Sequence, residues 1–416
     1  MQGGVSHQGP RVRRALQAAV VVGGLAVGAA AGAFGAARLA EDSPEASLRL
    51  WPWRGNPWLQ RGDRMLEAQA PETAKAAARA ALLQAPLSAK AYALIGRAYM
   101  LSGDAAGADA AMAAAARRSL RDAPSQTWIF ARALEAGDFQ AALEAYDVLM
   151  RRRPELAEPL SPPIYSAADQ VTAARAALIE RLRLAPPWRT AFLTGYSRNS
   201  AQPGAVHALL SALRSSDMPP TDAEVRPYLD RLLREKRYVS AYLAWAEHHP
   251  ALVPASGAVV DGGFGAEAPG MAPFAWTLSA GDGAAAQRAG APDGQGLALQ
   301  ATASGGLARR MVAEQLLVLP SGDYQLTAKT WIETGDPQGR LTWTVRCENG
   351  AKTALATLPV SGATGRWTPI RADLSVPADC PAQRLRLEAR PGASLAPVSV
   401  YFDDMAVVSQ RPVGGG

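Results

Sequence analysis

The stretch GNPWLQRGDRMLEAQAPETAKAAARAALLQAPLS (55–88) is followed by AKAYALIGRAYMLSGDAAGADAAMAAAARRSLRD (89–122) and then by APSQTWIFARALEAGDFQAALEAYDVLMRRRPEL (123–156). Laid over one another at a spacing of 34 residues, the three bring the same residue classes to the same places. Trp58, Gly62, Met65, Ala74, Ala78, Ala81 and Pro86 return as Tyr92, Gly96, Tyr99, Ala108, Met112, Ala115 and Leu120. The third copy keeps the pattern in its second half, with Ala142, Tyr146, Leu149 and Pro154, and loosens it in its first, with Gln126, Phe130 and Ala133. Each unit holds two segments of helical spacing, and Ser102-Gly103-Asp104 and Gly137-Asp138 supply the stop and start between them. One such unit cannot bury its own apolar face, so stacking is obligatory.

These offsets resemble the tetratricopeptide repeat over about a quarter of the chain. The resemblance implies an all-α solenoid with a concave groove for a protein partner. The outward positions of the first helices in units one and two, Asn56, Asp63, Lys90 and Arg97, are the candidate groove residues. Helical spacing continues in 166–184, 188–196, 205–213, 223–236 and 238–248, separated by Pro186-Pro187, Pro203-Gly204 and Pro219-Pro220. Residues 157–250 therefore read as diverged helical hairpins extending the solenoid.

At 416 residues the chain exceeds one ordinary core. Its 43 basic and 37 acidic residues leave a net charge of +6, but only five are Lys and the Arg are scattered apart from Arg151-Arg152-Arg153. That triplet closes a repeat, where cations suit a helix C-terminus. The clustered stripe of a nucleic-acid binder is missing, so no nucleic-acid partner is expected.

Arg11, Arg13 and Arg14 end a short tail, 1–14, before an uncharged run whose 23 residues from Ala15 to Ala37 are enough to cross a bilayer. With Glu41, Asp42 and Glu45 beyond it, the run reads as a transmembrane helix over 15–38 whose N-terminus is cytoplasmic. The rival is a cleaved signal peptide ending near Gly35-Ala36-Ala37; the length favours the anchor. The expected location is the inner membrane, single-pass, with the bulk in the periplasm. Gly24, Gly28 and Gly32 share one face and could pair two such helices into a homo-oligomer. In the linker 39–54, Trp51 and Trp53 suit either a lipid interface or a staple on the first repeat.

After a second linker, 251–258, the pattern changes. Segments 297–301, 311–319, 324–333, 341–347, 367–376, 385–389 and 398–407, with Gly, Pro and Asp between them, read as an antiparallel sandwich. It opens with Val260-Asp261-Gly262-Gly263-Phe264 and Pro273-Phe274-Ala275-Trp276 and closes with Val400-Tyr401-Phe402-Asp403-Asp404-Met405-Ala406-Val407. Gly322-Asp323-Tyr324 and Gly365-Arg366-Trp367-Thr368 start interior strands. Over 259–408, before a tail at 409–416, this resembles the jelly-roll carbohydrate-binding modules of families 4 and 9. The resemblance implies glycan binding and, in many relatives, a structural calcium held by an acidic residue after the first Phe and the last-strand Asp. Here Gly265 follows Phe264, which leaves Asp403 and Asp261 as the remaining calcium candidates for an ion that takes six to eight oxygens.

Strand alternation sends Tyr324, Leu326, Ala328 and Ile332 inward and Lys329, Trp331 and Glu333 outward. Trp343 falls on an inner face, Arg386 and Tyr401 on outer ones. Trp331, Tyr401, Lys329, Glu333 and Arg386 are therefore the carbohydrate-binding candidates, since a sugar ring stacks on an aromatic while charged groups pair its hydroxyls. The alternative for Trp331 is packing under a loop or against the helices, and the strands do not tell which outer face is used. Cys347 and Cys380 are the only cysteines, suited to a disulfide outside the cytoplasm or to two buried thiols; a bridge would contribute at most about 4 kcal/mol.

Phosphate-loop, nucleophile-elbow and His-Glu-x-x-His motifs are missing. The four His show no metal spacing, and His248-His249 reads as a helix end. Asp403-Asp404 point to opposite faces, unsuited to acid–base work on one bond. The expected molecule is multidomain: a single transmembrane helix, an all-α solenoid, then an all-β jelly roll. The expected role is a non-catalytic adaptor joining a protein partner to a polysaccharide in envelope polysaccharide or peptidoglycan assembly. The alternatives are a pure assembly scaffold and a glycan-modifying enzyme.

Overall fold

The computed structural model describes residues 43–50, 53, 55–254, 258–268, 270–304, 309–348, 350, 353–390 and 396–410. The chain divides into two compact units between Trp188 and Arg189. In the first, helix α1 (Pro44–Leu50) precedes three helix pairs: α2 (Gly55–Glu67) with α3 (Pro71–Gln84), α4 (Ala89–Leu101) with α5 (Ala105–Arg118), and α6 (Ala123–Glu135) with α7 (Phe139–Met150). First helices start at residues 55, 89 and 123 and second helices at 71, 105 and 139, so the period of the sequence is the period of the structure.

Local chemistry explains the boundaries. Ser88, Asp104, Asp122 and Asp138 each accept a hydrogen bond from the N–H three residues on, capping α4 to α7. Gly103 and Gly137 take φ of 77° and 74°, the left-handed turn that ends α4 and α6 without a Cβ clash. A Cβ on Gly62 would lie 2.3 Å from Leu94 Cδ2, and one on Gly96 2.8 Å from Met112 Cγ, so the repeated glycine marks a close approach of helices. The third copy has Phe130 there, and its ring packs 6.0 Å from Tyr146 instead.

Beyond the repeats lie α8 (Ala157–Gln170) and α9 (Thr172–Arg183). The single helix expected at 166–184 is thus two, because Val171 adopts an extended conformation (φ −118°, ψ 115°). Trp188 ends this unit, its indole N–H donating to Asp147 at 2.8 Å and its ring edge-on to Tyr146 at 5.0 Å.

The second unit begins with α10 (Arg189–Asn199), α11 (Pro203–Arg214), α12 (Asp222–Arg234) and α13 (Tyr238–His248). Buried Arg189 meets buried Glu224 through two hydrogen bonds of 3.0 and 3.1 Å. The same Glu224 accepts the Thr221 N–H in a capping box at the start of α12. Trp245 of α13 is fully buried; its indole N–H donates to the Met271 carbonyl at 2.8 Å and its ring packs near Phe274. The last helix is therefore fastened to the segment that leads into the sandwich.

The sandwich has eleven strands among the described residues: β1 (Thr277–Leu278), β2 (Ala280–Gly281), β3 (Ala284–Gly290), β4 (Leu297–Ala303), β5 (Arg310–Leu317), β6 (Gly322–Thr334), β7 (Leu341–Cys347), β8 (Ala354–Pro359), β9 (Thr368–Val376), β10 (Gln383–Ala389) and β11 (Val398–Ser409). Sheet 1 runs β1-β5-β10-β7-β8 and sheet 2 runs β2-β3-β4-β11-β6-β9, with antiparallel neighbours. Strands β3 and β8 escaped the sequence reading because Ala-Ala-Ala-Gln-Arg-Ala-Gly and Ala-Leu-Ala-Thr-Leu-Pro carry little β-branched or aromatic alternation.

Between the sheets an aromatic chain runs from Phe264 to Trp276, Trp343 and Phe402, with ring centroids 5.3, 5.7 and 5.4 Å apart. Trp343 has no exposed surface, in keeping with its inner face. The opening and closing motifs meet: Met405 N–H donates to the Gly262 carbonyl at 2.9 Å, and a Cβ on Gly262 would fall 1.9 Å from the Met405 carbonyl oxygen. Gln315 makes two 2.9 Å hydrogen bonds to the backbone of Val260, holding the motif on sheet 1. Cys347 and Cys380 form a disulfide from the end of β7 to the turn before β10.

No helix among the described residues is long and apolar enough to cross a membrane. The run at 15–38 and its Gly24, Gly28 and Gly32 lie outside the described residues, as does Trp51. Trp53 is largely exposed.

Candidate functional site

The outer face of sheet 2 is built by the odd positions of β6, which leave Gln325, Thr327, Lys329, Trp331 and Glu333 off the core while Leu326, Ala328, Thr330 and Ile332 are buried. Register then aligns residues from four strands. Gln287 of β3 stands opposite Gln300 of β4, Gln300 opposite Tyr401 of β11, and Tyr401 opposite Trp331 of β6. The side chains bond along this row. Gln287 donates to Gln300 at 3.0 Å, and Gln300 donates to the Tyr401 hydroxyl at 3.0 Å and to Ser399 at 3.3 Å.

Around the aromatic end of the row gathers a second, smaller apolar cluster of Tyr401, Ala291 and Ala298, with Ala289, Trp331 and Trp367 packed against it. The Trp331 and Trp367 rings meet edge to face at 5.8 Å. Trp367 precedes β9, and its indole N–H donates to Asp293 in the β3–β4 turn at 2.8 Å. The Gln295 N–H and then the Trp367 N–H hold the Asp293 carboxyl below its ordinary pKa. Tyr401 is only 8% exposed, and burial, aided by nearby Glu333, pushes its hydroxyl pKa up. The expectation of two exposed aromatics is corrected here: Tyr401 is covered by small alanines and serves as the base of the cluster, while half-buried Trp331 and Trp367 present its surface.

Beside them, between β6, β9 and the β11 bulge, lies a cavity of about 590 Å³ lined by Gln325, Thr327, Lys329, Pro369, Arg371 and Asp404 among others. Lys329 pairs with Asp404 at 2.5 Å, and that hydrogen bond raises the Lys329 pKa. Exposed Arg371 has no carboxylate within salt-bridge distance among the described residues. The face thus offers two indole surfaces, amide and hydroxyl donors in a row, and a guanidinium at the rim of a groove.

Lys329, Trp331, Glu333 and Tyr401 come together on this face. Arg386 does not: it lies on β10 of sheet 1, where it donates to Glu314 at 3.0 Å. Alternation gives a side chain's face within its strand, but not the sheet the strand joins. Trp367, Asp293, Gln300, Gln287 and Arg371 were missed as site residues. The signal for Trp367 was present in Gly365-Arg366-Trp367-Thr368, whose aromatic stands just before a strand.

The two calcium candidates have other engagements. Asp261 takes Arg288 at 2.5 Å on one oxygen and the Ala266 N–H at 3.0 Å on the other. Asp403 accepts the Asp404 N–H at 2.8 Å, and burial raises its pKa. Asp261 is thus already paired with a guanidinium, which would compete with a cation for its carboxylate. In the repeat unit Asp63 and Arg97, one period apart, pair with each other at 2.8 Å, whereas Asn56 and Lys90 are exposed.

No family model matches the chain, and no curated protein does. Among solved structures, a family 4 carbohydrate-binding module is 18% identical over 36% of this chain and 99% of its own, with a TM-score of 0.27. TmCBM61 in complex with β-1,4-galactotriose is 15% identical over 37% of this chain and 100% of its own, with a TM-score of 0.26. The CBM22-1 xylan-binding domain of Paenibacillus barcinonensis Xyn10C is 15% identical over 38% of this chain and 97% of its own, with a TM-score of 0.27. Likenesses of that extent carry no argument about function.

Proposed function

We propose that this chain is a non-catalytic adaptor that holds an extended glycan on the outer face of sheet 2 and a protein partner on its helical repeats. The observation that carries the glycan reading is the bonded row Gln287–Gln300–Tyr401 ending on Trp331, with Trp367 beside it and the Arg371 groove adjoining. Indole faces suit the C–H face of a pyranose, and a row of amides and hydroxyls fixed by one another is a preorganised partner for sugar hydroxyls. The 34-residue hairpins, read as tetratricopeptide repeats, supply the protein-binding groove with Asn56 and Lys90 on it. With an anchor at 15–38 placing the bulk in the periplasm, the role is in envelope polysaccharide or peptidoglycan assembly.

The test is retention of the full chain on immobilised envelope polysaccharides and peptidoglycan, compared with Trp331→Ala and Trp367→Ala. Retention that both substitutions weaken supports the reading. Equal retention of all three proteins, or none on any glycan, moves the function to a pure assembly scaffold. Release of new reducing ends during the assay would instead make the protein a glycan-modifying enzyme.

A further inference from the structure

Asp222 is the first residue of α12 and His248 the last of α13; His249 follows directly. A sequence separation of 26 hides the proximity of Asp222 and His248, yet the fold brings the start of one helix to the end of the next. His248 Nε2 lies 2.9 Å from Asp222 Oδ1, and His249 Nε2 lies 3.5 Å from the same oxygen. One ligand atom from each of the three falls within 4.8 Å of the others, and no other group of three or more His, Cys, Asp or Glu among the described residues does this.

We propose that Asp222, His248 and His249 form a binding site for one divalent transition-metal ion of the zinc class, with a coordination position open to water or an outside ligand. Zinc–nitrogen and zinc–oxygen bonds of about 2.0–2.1 Å in a tetrahedron set ligand atoms roughly 3.3 Å apart. The two separations in the structure, 2.9 and 3.5 Å, bracket that edge. Two imidazoles and a carboxylate suit zinc, copper or nickel; calcium and magnesium take all-oxygen sets.

A second observation points to a ligand. His249 Nε2 is buried and has no hydrogen-bond partner among the described residues. Burying such a nitrogen unpaired costs free energy, which a metal bond would offset. Its ring is held in place, 4.6 Å from the His248 ring and 5.3 Å from the Trp245 ring, itself locked by the Met271 carbonyl. The His248 and His249 side chains are 10% and 16% exposed, while that of Asp222 is 53% exposed. Protein therefore covers two ligands and solvent reaches the third, the arrangement of a site with an open position. Neither sheet of the sandwich contributes, so the site is independent of glycan binding.

The experiment is calorimetric titration of Zn²⁺ into the untagged full chain, repeated with Co²⁺ followed by visible absorption. One ion per chain and the intense bands of four-coordinate Co²⁺ are expected. Loss of an outer-shell partner weakens metal sites about 10–100-fold, so His249→Ala and Asp222→Asn should each weaken Zn²⁺ binding by at least about 100-fold. His207→Ala, on α11, should leave it unchanged. Circular dichroism of each variant separates loss of the site from loss of fold. X-ray absorption of the zinc-loaded native chain reads the ligands without any variant, and two imidazoles are expected. No saturable Zn²⁺ binding, binding that survives both substitutions in folded protein, or fewer than two imidazoles on the metal would overturn the proposal and leave a histidine–carboxylate pair.

Discussion

The two outer faces of the sandwich obey the same alternation and carry different chemistry. On sheet 1 the outward side chains form a lattice of opposite charges. Arg384 and Arg386 meet Glu314, Arg384 also meets Glu348, and Arg309, Arg346 and Arg390 converge on Glu388. Thr342 and Thr344 are buried there, and Tyr238 of α13 lies within electrostatic reach of Glu348 and Arg384. On sheet 2 the outward row is neutral and aromatic, with an unpaired guanidinium at its rim among the described residues. A face whose charges satisfy one another has little left for a ligand. A face that keeps two half-buried indole rings and an exposed guanidinium without a carboxylate partner among the described residues, on side chains fixed by one another, can bind one.

Four substitutions or conditions would break or sharpen that contrast. The largest effect should come from the core both faces share: Trp343→Ala should destabilise the sandwich by about 3–5 kcal/mol, read by chemical denaturation, and abolish glycan retention with it. A normal midpoint would mean that the aromatic chain does not join the two sheets energetically. Next, Glu388→Ala strips three arginines of their shared partner and should cost about 1.5–3 kcal/mol of stability while glycan affinity in the folded protein stays within twofold.

The third is reciprocal. Trp331→Ala should weaken glycan affinity about tenfold, an amount in the range of one aromatic stacking contact, whereas Arg386→Ala should leave it unchanged. Equal losses would place the ligand on both faces and end the distinction. The smallest is a pH effect. Asp293 is held below its ordinary pKa by the Gln295 and Trp367 N–H groups. Its contribution is therefore present above the unfolded carboxylate pKa of about 3.9 and fades as the pH falls through the lower folded value. Tryptophan emission should report release of Trp367 only in strong acid, and in Asp293→Asn that transition should vanish.

Much of this architecture was legible because it rests on local rules. Gly62 and Gly96 recur at one spacing since a Cβ there would strike Leu94 or Met112, and Asp104 and Asp138 recur because each caps a helix. The faces of β6 followed from alternation alone, which put Lys329, Trp331 and Glu333 on one side. Where local preference is weak the reading failed: β3 and β8 are made strands by their neighbours, and Val171 breaks a helix that periodicity would have continued. Arg386 was grouped with Trp331 because strands cannot announce which sheet they will join.

By itself, then, the sequence determined the period of the helix pairs, the order of helices before strands, and the inner and outer face of the long strands. The helix caps and strand faces depend on residues within a turn or two of one another, and the period shows because the same contact recurs in every unit. Only the tertiary structure decided that Trp367 and Asp293 complete the cluster of Trp331 and Tyr401, that Asp261 belongs to Arg288, and that Asp222 lies beside His248 and His249. Those pairings cross separations of 26 to 74 residues, where proximity is set by how strands and helices pack.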